Sequence, residues 1–400
     1  MNIPKSKVFT PGQIGNLTLR NRTIRSGCFE GLSPNASPSD ALIEHHRKLA
    51  AGGIGMTTVS YCAVSRDGVA FNHEMWMREE IIPGLKRLTD AVHKEGAAVS
   101  IQLGHCGFFA NKSAAGVTPM GPSRKFCLFR YSISRPMALK DMERVREDFG
   151  KAAKLAVQAG FDAIEIHAGH GYLLSQFLSP WTNRRKDKYG GTLENRFRFP
   201  VSVIKHVRET VGRDFPLIVK MNCEDGFDGG LIIEEAVAVA KAFEAAGASA
   251  LVPSCGFTAR TSFYMMRGQV PIFEYVKSEK NPVTKIGMAL FGKLIVKEVP
   301  YHDLFLLEHA KRIKDAVKIP VIYIGGVCSL ENMATVMQAG FPFVQIGRAT
   351  VRDPGVINKM RSGELAGVDC DHCNRCVAEM AVKGIACPSE TRGFKRKVYK

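Results

Sequence analysis

Five times along the chain a helical segment closes on a residue followed by glycine and a short apolar run begins. The junctions are Ala51-Gly52 before IGMTTVS, Glu95-Gly96 before AAVSIQL, Ala159-Gly160 before FDAIEIH, Ala246-Gly247 before ASALVPS and Ala339-Gly340 before FPFVQIG. Glycine just past a helix end is the usual left-handed cap, so each junction reads as a helix stop and a strand start. Strands that are apolar throughout and alternate with helices belong in a parallel sheet covered by helices. Further strands near Thr23 to Gly27, Pro216 to Met221 and Pro320 to Ile324 bring the count to eight. That number predicts an α/β chain closed as a (β/α)8 TIM barrel. An open doubly wound sheet fits less well, because no G-x-G-x-x-G opens a helix after the first strand.

The flanking segments agree. In Asp141 to Gln158, Met142, Val145, Phe149, Ala152 and Ala156 recur at helical spacing, one apolar stripe for an outer helix. Ahead of the first strand, VFTPGQIGNLTLRNR predicts a small hairpin plugging the barrel's N-terminal end. Two connections exceed an ordinary loop. Gly104 to Leu139, after the third strand, carries Phe126, Phe129 and Tyr131; Cys255 to His302, after the sixth, carries Phe263, Tyr264, Met266 and Phe273. Both leave the C-terminal ends of strands, where barrels keep their chemistry, and so read as a substrate lid. Residues 1–365 are assigned to the barrel and 366–400 to a Cys-rich basic extension.

Composition narrows the class. No apolar run approaches a bilayer span and MNIPKSKVF lacks the hydrophobic stretch of a signal peptide, so a soluble cytoplasmic protein without membrane contact is expected. The net charge of +17 raises the question of nucleic acid, yet the basic residues are dispersed, with local clusters at Arg184 to Lys188 and Arg392 to Lys400. No aromatic-interleaved basic face accompanies them, so no nucleic-acid partner is expected. Such a field suits small anions: a cofactor phosphate, a nicotinamide nucleotide, an acidic substrate. Homo-oligomerisation stays open.

The chemistry concentrates in His167 to Phe199, HAGHGYLLSQFLSPWTNRRKDKYGGTLENRFRF, directly after the strand FDAIEIH. Gly169 and Gly171 free the backbone for a turn that brings His167, His170 and Tyr172 together. Two imidazoles could then donate to one oxygen while a phenol delivers a proton nearby. The pattern H-x-x-H-G-Y-L-L-x-x-F-L-S-P followed by N-x-R-x-D-x-Y-G-G-T-L-E-N-R resembles the signature of the Old Yellow Enzyme family of flavin-dependent ene-reductases.

That resemblance implies FMN, reduced by NAD(P)H, and an activated alkene substrate. It places the FMN phosphate on Gly325, Gly326, Gly347 and Arg348, loops where barrels commonly bind phosphate. Lys220, in the apolar run PLIVKM, matches the cation facing the flavin N1/O2 edge, and Gln102 matches a glutamine on the pyrimidine ring. Gly27 and Cys28 fall on a segment touching the flavin near O4, and Tyr61 is placed with them. An arginine common in the family after His105 and Gly107 is Phe108 here. In the implied reaction His167 and His170 hold a carbonyl oxygen and Tyr172 protonates the α-carbon of an α,β-unsaturated carbonyl compound. Amine or alcohol dehydrogenation or demethylation on the same fold, and an electron-transfer or sensor subunit, are the alternatives.

Eleven cysteines without a secretory signal argue for reduced thiols or metal ligands. Cys370, Cys373 and Cys376, with Cys387-Pro388 beyond, have the close spacing of thiolate ligands. A [4Fe–4S] cluster, zinc and unligated thiols are all compatible with that spacing. Longer relatives carry such a cluster ahead of a further flavin and nucleotide module. This chain stops at Lys400, so a cluster here would need an external electron donor or would be structural.

Overall fold

Eight short strands and the helices that follow them alternate around a ring. In the computed structural model, which describes residues 5–279, 282–380 and 382–388, the strands are β1 (Thr23–Arg25), β2 (Met56–Ala63), β3 (Ala98–Gly104), β4 (Ala163–Ala168), β5 (Leu217–Asn222), β6 (Ala250–Ser254), β7 (Ile322–Ile324) and β8 (Phe343–Ile346). The outer helices are α1 (Asp40–Ala51), α2 (Ile82–Lys94), α3 (Leu139–Gln158), α4 (Leu193–Val211), α5 (Ile233–Ala245), α6 (Leu307–Lys314), α7 (Leu330–Gln338) and α8 (Val356–Ser362). Neighbouring strands pair in parallel in the order β6-β5-β4-β3-β2-β1-β8-β7. An isolated parallel bridge, Leu251 with Val321, joins the two ends, and the Leu251 N–H donates to the Pro320 carbonyl at 3.0 Å. This is the predicted barrel.

The junction glycines work as read, with one shift. Gly96, Gly160, Gly247 and Gly340 have φ of 73°, 83°, 98° and 87°, but after α1 the left-handed residue is Gly53 at 99°, not Gly52 at −72°. Where two glycines follow a helix, either can take the conformation. Ser39, Thr192 and Ser329 start α1, α4 and α7 by accepting a backbone N–H three residues on.

The N-terminal hairpin, Gly12–Ile14 against Leu17–Leu19, stops the barrel's bottom as expected. Ile14 and Leu19 pack inside the ring with Ile24, Met56, Ala163, Ile218, Val252, Ile322 and Phe343. Burying each large apolar side chain contributes roughly 1.5–3 kcal/mol.

The two long connections are structured. After β3, Lys125–Cys127 and Ser132–Pro136 form an antiparallel hairpin whose turn is Leu128–Arg130 plus the left-handed Tyr131. After β6, helices Ile272–Ser278 and Pro282–Ile295 leave Phe273, Ile286, Leu290 and Leu294 exposed, Leu294 at 74%. Beyond α8 the chain pairs Gly367 with Ser329, touches the β6 insertion through Gln269 N–H to the His372 carbonyl at 3.1 Å, and reaches the β1 loop through Ile385 N–H to the Glu30 carbonyl at 2.7 Å. The extension thus lies across the C-terminal end of the barrel. Its basic run at 392–400 falls outside the described residues. Among the described residues no helix is long and apolar enough to cross a membrane.

Candidate active site

Above the apolar floor the barrel interior turns polar. Glu165 on β4 is fully buried and accepts three charged or amide donors: Lys220 Nζ at 2.9 Å, Gln345 Nε2 at 2.7 Å and Gln102 Nε2 at 2.5 Å. Lys220 also reaches Ser26 Oγ at 3.3 Å, and Ser60 Oγ donates to Gln102 Oε1 at 2.9 Å, which sets the amide's orientation. A buried ammonium needs such a partner to keep its charge. Within the chain that partner is Glu165, which the sequence reading missed. Its one signal was an acid set between two isoleucines in the strand run FDAIEIH.

A second buried pair supports the β1 end. Arg25 Nη1 donates to Glu30 Oε1 at 2.5 Å and to the Thr58 carbonyl at 2.6 Å, while Nη2 reaches Cys28 Sγ at 3.2 Å. Burial pushes the Cys28 thiol up, against the pull of the Arg25 charge. Gly27 beside it is tightly confined, since a Cβ would sit 3.0 Å from Gln102 Nε2 and 3.2 Å from the Ser60 Cβ, and the Gln102 amide would have to shift to admit it.

His167, His170 and Tyr172 converge as predicted. The His167 ring centroid lies 4.9 Å from that of His170 and 4.8 Å from that of Tyr172, both edge-on. Tyr61 completes the group, 5.3 Å from Tyr172 and 5.9 Å from His167. His170 takes a left-handed φ of 57°, held by its own N–H to Asn222 Oδ1 at 2.8 Å and by its carbonyl accepting from Thr258 N–H at 2.9 Å. Its Nε2 lies 2.7 Å from Ser254 Oγ. His167 Nδ1 accepts from the Gly169 N–H at 3.2 Å, which puts the ring proton on Nε2 as a donor.

Burial sets the charges of these groups. It holds His167 well below the usual imidazole range, helped by His170 and Lys220, and takes His170 down to about 3. Both rings are therefore neutral at pH 7 and donate without carrying charge. Burial raises the Tyr172 phenol, aided by Cys106 and Glu74, so it is a protonated acid.

The loops after β7 and β8 offer bare backbone. Gly325 and Gly326 have φ of 118° and 71°, and a Cβ on Gly347 would meet nothing within 4 Å. Arg348 is fixed beside them by Nη1 donation to the Arg267 carbonyl and to Asn374 Oδ1, both at 2.8 Å. The open space at Gly347, the immobilised guanidinium and the Gln102–Lys220 edge fit the phosphate and pyrimidine ends of FMN. Asn374 was not foreseen, since its role depends on the fold of the extension.

Of the three states open to the C-terminal cysteines, neither metal set gains support. Among the described residues no three His, Cys, Asp or Glu side chains are grouped to hold a metal ion, Cys370, Cys373, Cys376 and Cys387 included. Burial pushes the Cys370 thiol up to about 11 and those of Cys373 and Cys376 to about 12, Cys373 also hydrogen-bonding Asp371. Cys387 Sγ instead lies 3.9 Å from Arg352 Nη1.

Comparison with known proteins agrees with this geometry. Residues 7–261 match the NADH:flavin oxidoreductase / NADH oxidase family. A 4,4'-dithiodibutanoate disulfide reductase of Rhodococcus erythropolis is 38% identical over 94% of this chain and 93% of its own length. A metal reductase of Desulforamulus reducens is 35% identical over 92% of this chain, which spans only 51% of that protein. Among solved structures, a 2-naphthoyl-CoA reductase complex superposes with a TM-score of 0.78 at 26% identity, covering 90% of this chain and 53% of that one. The Old Yellow Enzyme homologue of Zymomonas mobilis shares the fold, with a TM-score of 0.72 at 20% identity over 91% of this chain and 95% of that one. The chain therefore belongs to the NADH:flavin oxidoreductase / NADH oxidase family, that of the Old Yellow Enzymes, and is an NAD(P)H:flavin oxidoreductase.

Proposed function

We propose that the protein reduces the C=C bond of an α,β-unsaturated carbonyl compound at the expense of NAD(P)H. The observation that supports this is the convergence of His167, His170 and Tyr172 within 5 Å, with the His167 proton on Nε2. FMN, when bound, supplies the hydride. The chain's own residues do the rest. His167 and His170 donate to the carbonyl oxygen, where negative charge gathers as the β-carbon is reduced. A donor aimed at developing charge is worth about 3 kcal/mol, so its loss costs on the order of a hundredfold or more. Tyr172 gives its phenolic proton to the α-carbon. Gln102, Lys220, Gly325, Gly326, Gly347 and Arg348 would hold the flavin, while Phe108, Phe257 and Trp181 exclude water from the mouth.

In Tyr172→Phe, flavin reduction by NAD(P)H stays near the native rate. Reoxidation by 2-cyclohexenone slows by a hundredfold or more. Stopped-flow traces with both half-reactions unchanged would remove Tyr172 as the acid.

Disulfide reduction is a second reading, supported by the relative that is 38% identical and named for that activity. The same donors would then protonate the leaving thiolate. Anaerobic reoxidation of the reduced protein by 4,4'-dithiodibutanoate and by 2-cyclohexenone, compared side by side, separates the two.

A further inference from the structure

Three cations line the aromatic mouth with no acidic partner among the described residues. Lys125 Nζ lies 3.6 Å above the Trp181 ring, Arg260 stacks 4.3 Å from Phe227 and 5.2 Å from Trp181, and Arg130 stacks 4.3 Å from Phe109 and 4.9 Å from Phe71. Other arginines of the same region are paired: Arg135 with Asp141 at 2.7 Å, Arg185 with Asp187 at 2.6 Å, and Arg144 with Asp148 at 2.7 Å. Unpaired cations held against ring faces are poised for an anion from outside the chain.

Arg130 is the deepest of the three. It sits in the turn of the β3 hairpin, its Nε donates to the Phe109 carbonyl at 3.1 Å, and its Nη2 is buried with no hydrogen-bond partner among the described residues. Leaving a charged donor unsatisfied is costly, which marks a place where a partner is missing. The Phe109 ring it covers lies 6.2 Å from the Tyr172 ring, and Phe71 on its other side stacks at 4.4 Å on Phe29, next to Cys28. The guanidinium thus stands one ring away from Tyr172 and within electrostatic reach of its phenol. Glu74 is the acid nearest in electrostatic reach, but burial pushes its carboxyl up to about 8, and its Oε2 is already taken by the Ala70 and Phe71 N–H groups at 2.9 Å and 3.0 Å. A protonated Glu74 leaves the Arg130 charge uncancelled.

We infer that Arg130 binds a carboxylate on the substrate, with Lys125 and Arg260 holding the positive potential of the entrance, so that the protein selects anionic over neutral activated compounds. This specifies the substrate class of the reaction proposed above and rests on that reading for the turnover arm of its test. A guanidinium takes a carboxylate through two parallel hydrogen bonds, and the free Nη2 supplies one of them.

The test measures binding and turnover separately on the FMN-loaded protein. By calorimetry, 4-hydroxybenzoate should bind at least tenfold more tightly than its methyl ester. Arg130→Met should shrink that preference by ten- to a hundredfold, the range for a charged hydrogen bond. Arg130→Lys, which keeps the charge but not the fork, should retain part of it. In turnover, the ratio of kcat/KM for (E)-4-oxopent-2-enoate over its methyl ester should fall in the same order, through KM. A native protein that binds acid and ester alike, or an Arg130→Met protein whose preference moves less than twofold, overturns the inference. If neither alkene is reduced while the binding preference and its loss persist, the proposed reaction falls and the anion site stands.

Discussion

The two ends of the barrel solve opposite problems with the same eight strands. At the floor, Ile14, Leu19, Ile24, Ile218 and Phe343 fill the ring with hydrocarbon and leave nothing to titrate. At the mouth the interior holds Arg25, Glu30, Glu165, Lys220, Gln102 and Gln345, all buried, each polar group depending on a neighbour. Truncating one hydrocarbon side chain leaves a cavity and nothing else. Removing one member of a buried ion network also strands the others in a low dielectric. Stability is thus anchored at one end and placed at risk at the other, where the chemistry is.

Three substitutions probe that contrast. The largest effect is expected for Glu165→Ala, which strands Lys220 and two amide donors. It should cost about 3–5 kcal/mol in urea unfolding, as breaking a buried pair does. Glu165→Leu with Lys220→Met should recover most of the loss, and a double variant no better than the single would mean that the pair carries little. Next comes Ile14→Ala in the floor, at roughly 2–5 kcal/mol by transfer and cavity terms. Its cost should be the same at pH 6 and pH 8; a pH-dependent cost would show that the floor is coupled to the mouth's charges. The smallest effect is one of slope. The folded protein keeps the Glu74 proton up to about pH 8, whereas an unfolded chain releases it near pH 4, so folding takes up a proton between these values and stability falls as pH rises. The buried histidines pull the other way just above pH 7, where the unfolded chain still carries some of their protons, so the Glu74 contribution is read as the difference between the native and Glu74→Gln proteins. Glu74→Gln keeps the acceptor for Ala70 and Phe71 and should flatten the decline from pH 7 to 8 in pH-stepped denaturation. An unchanged slope would mean that Glu74 is ionised when folded.

The sequence disclosed what repeats and what is local. Strand positions followed from apolar runs after glycine, and the His167, His170 and Tyr172 group from a single contiguous stretch. Pairings across the ring were hidden. Glu165 meets Gln102, Lys220 and Gln345 only after β3, β5 and β8 are placed beside or opposite β4, and no local pattern encodes that closure. The C-terminal cysteines show the converse limit: close spacing along the chain suits a metal set and free thiols alike, so it did not decide between them. The helix Pro282–Ile295 likewise has an apolar periodicity that points outward at Ile286, Leu290 and Leu294, so the pattern alone could not say which side was covered.

The joint between β6 and β7 is the narrowest in the ring, one bridge at Leu251 and Val321 where other neighbours share longer ladders. A cylinder stitched so thinly along one line should loosen there before it melts elsewhere, so the Leu251 amide should exchange with deuterated solvent well ahead of its counterparts in β4 and β5. The loop carrying Gly325 and Gly326 begins at that line. A phosphate seated there would act as a rivet, and the flavin would owe part of its affinity to closing a slit that the polypeptide alone leaves easy to open.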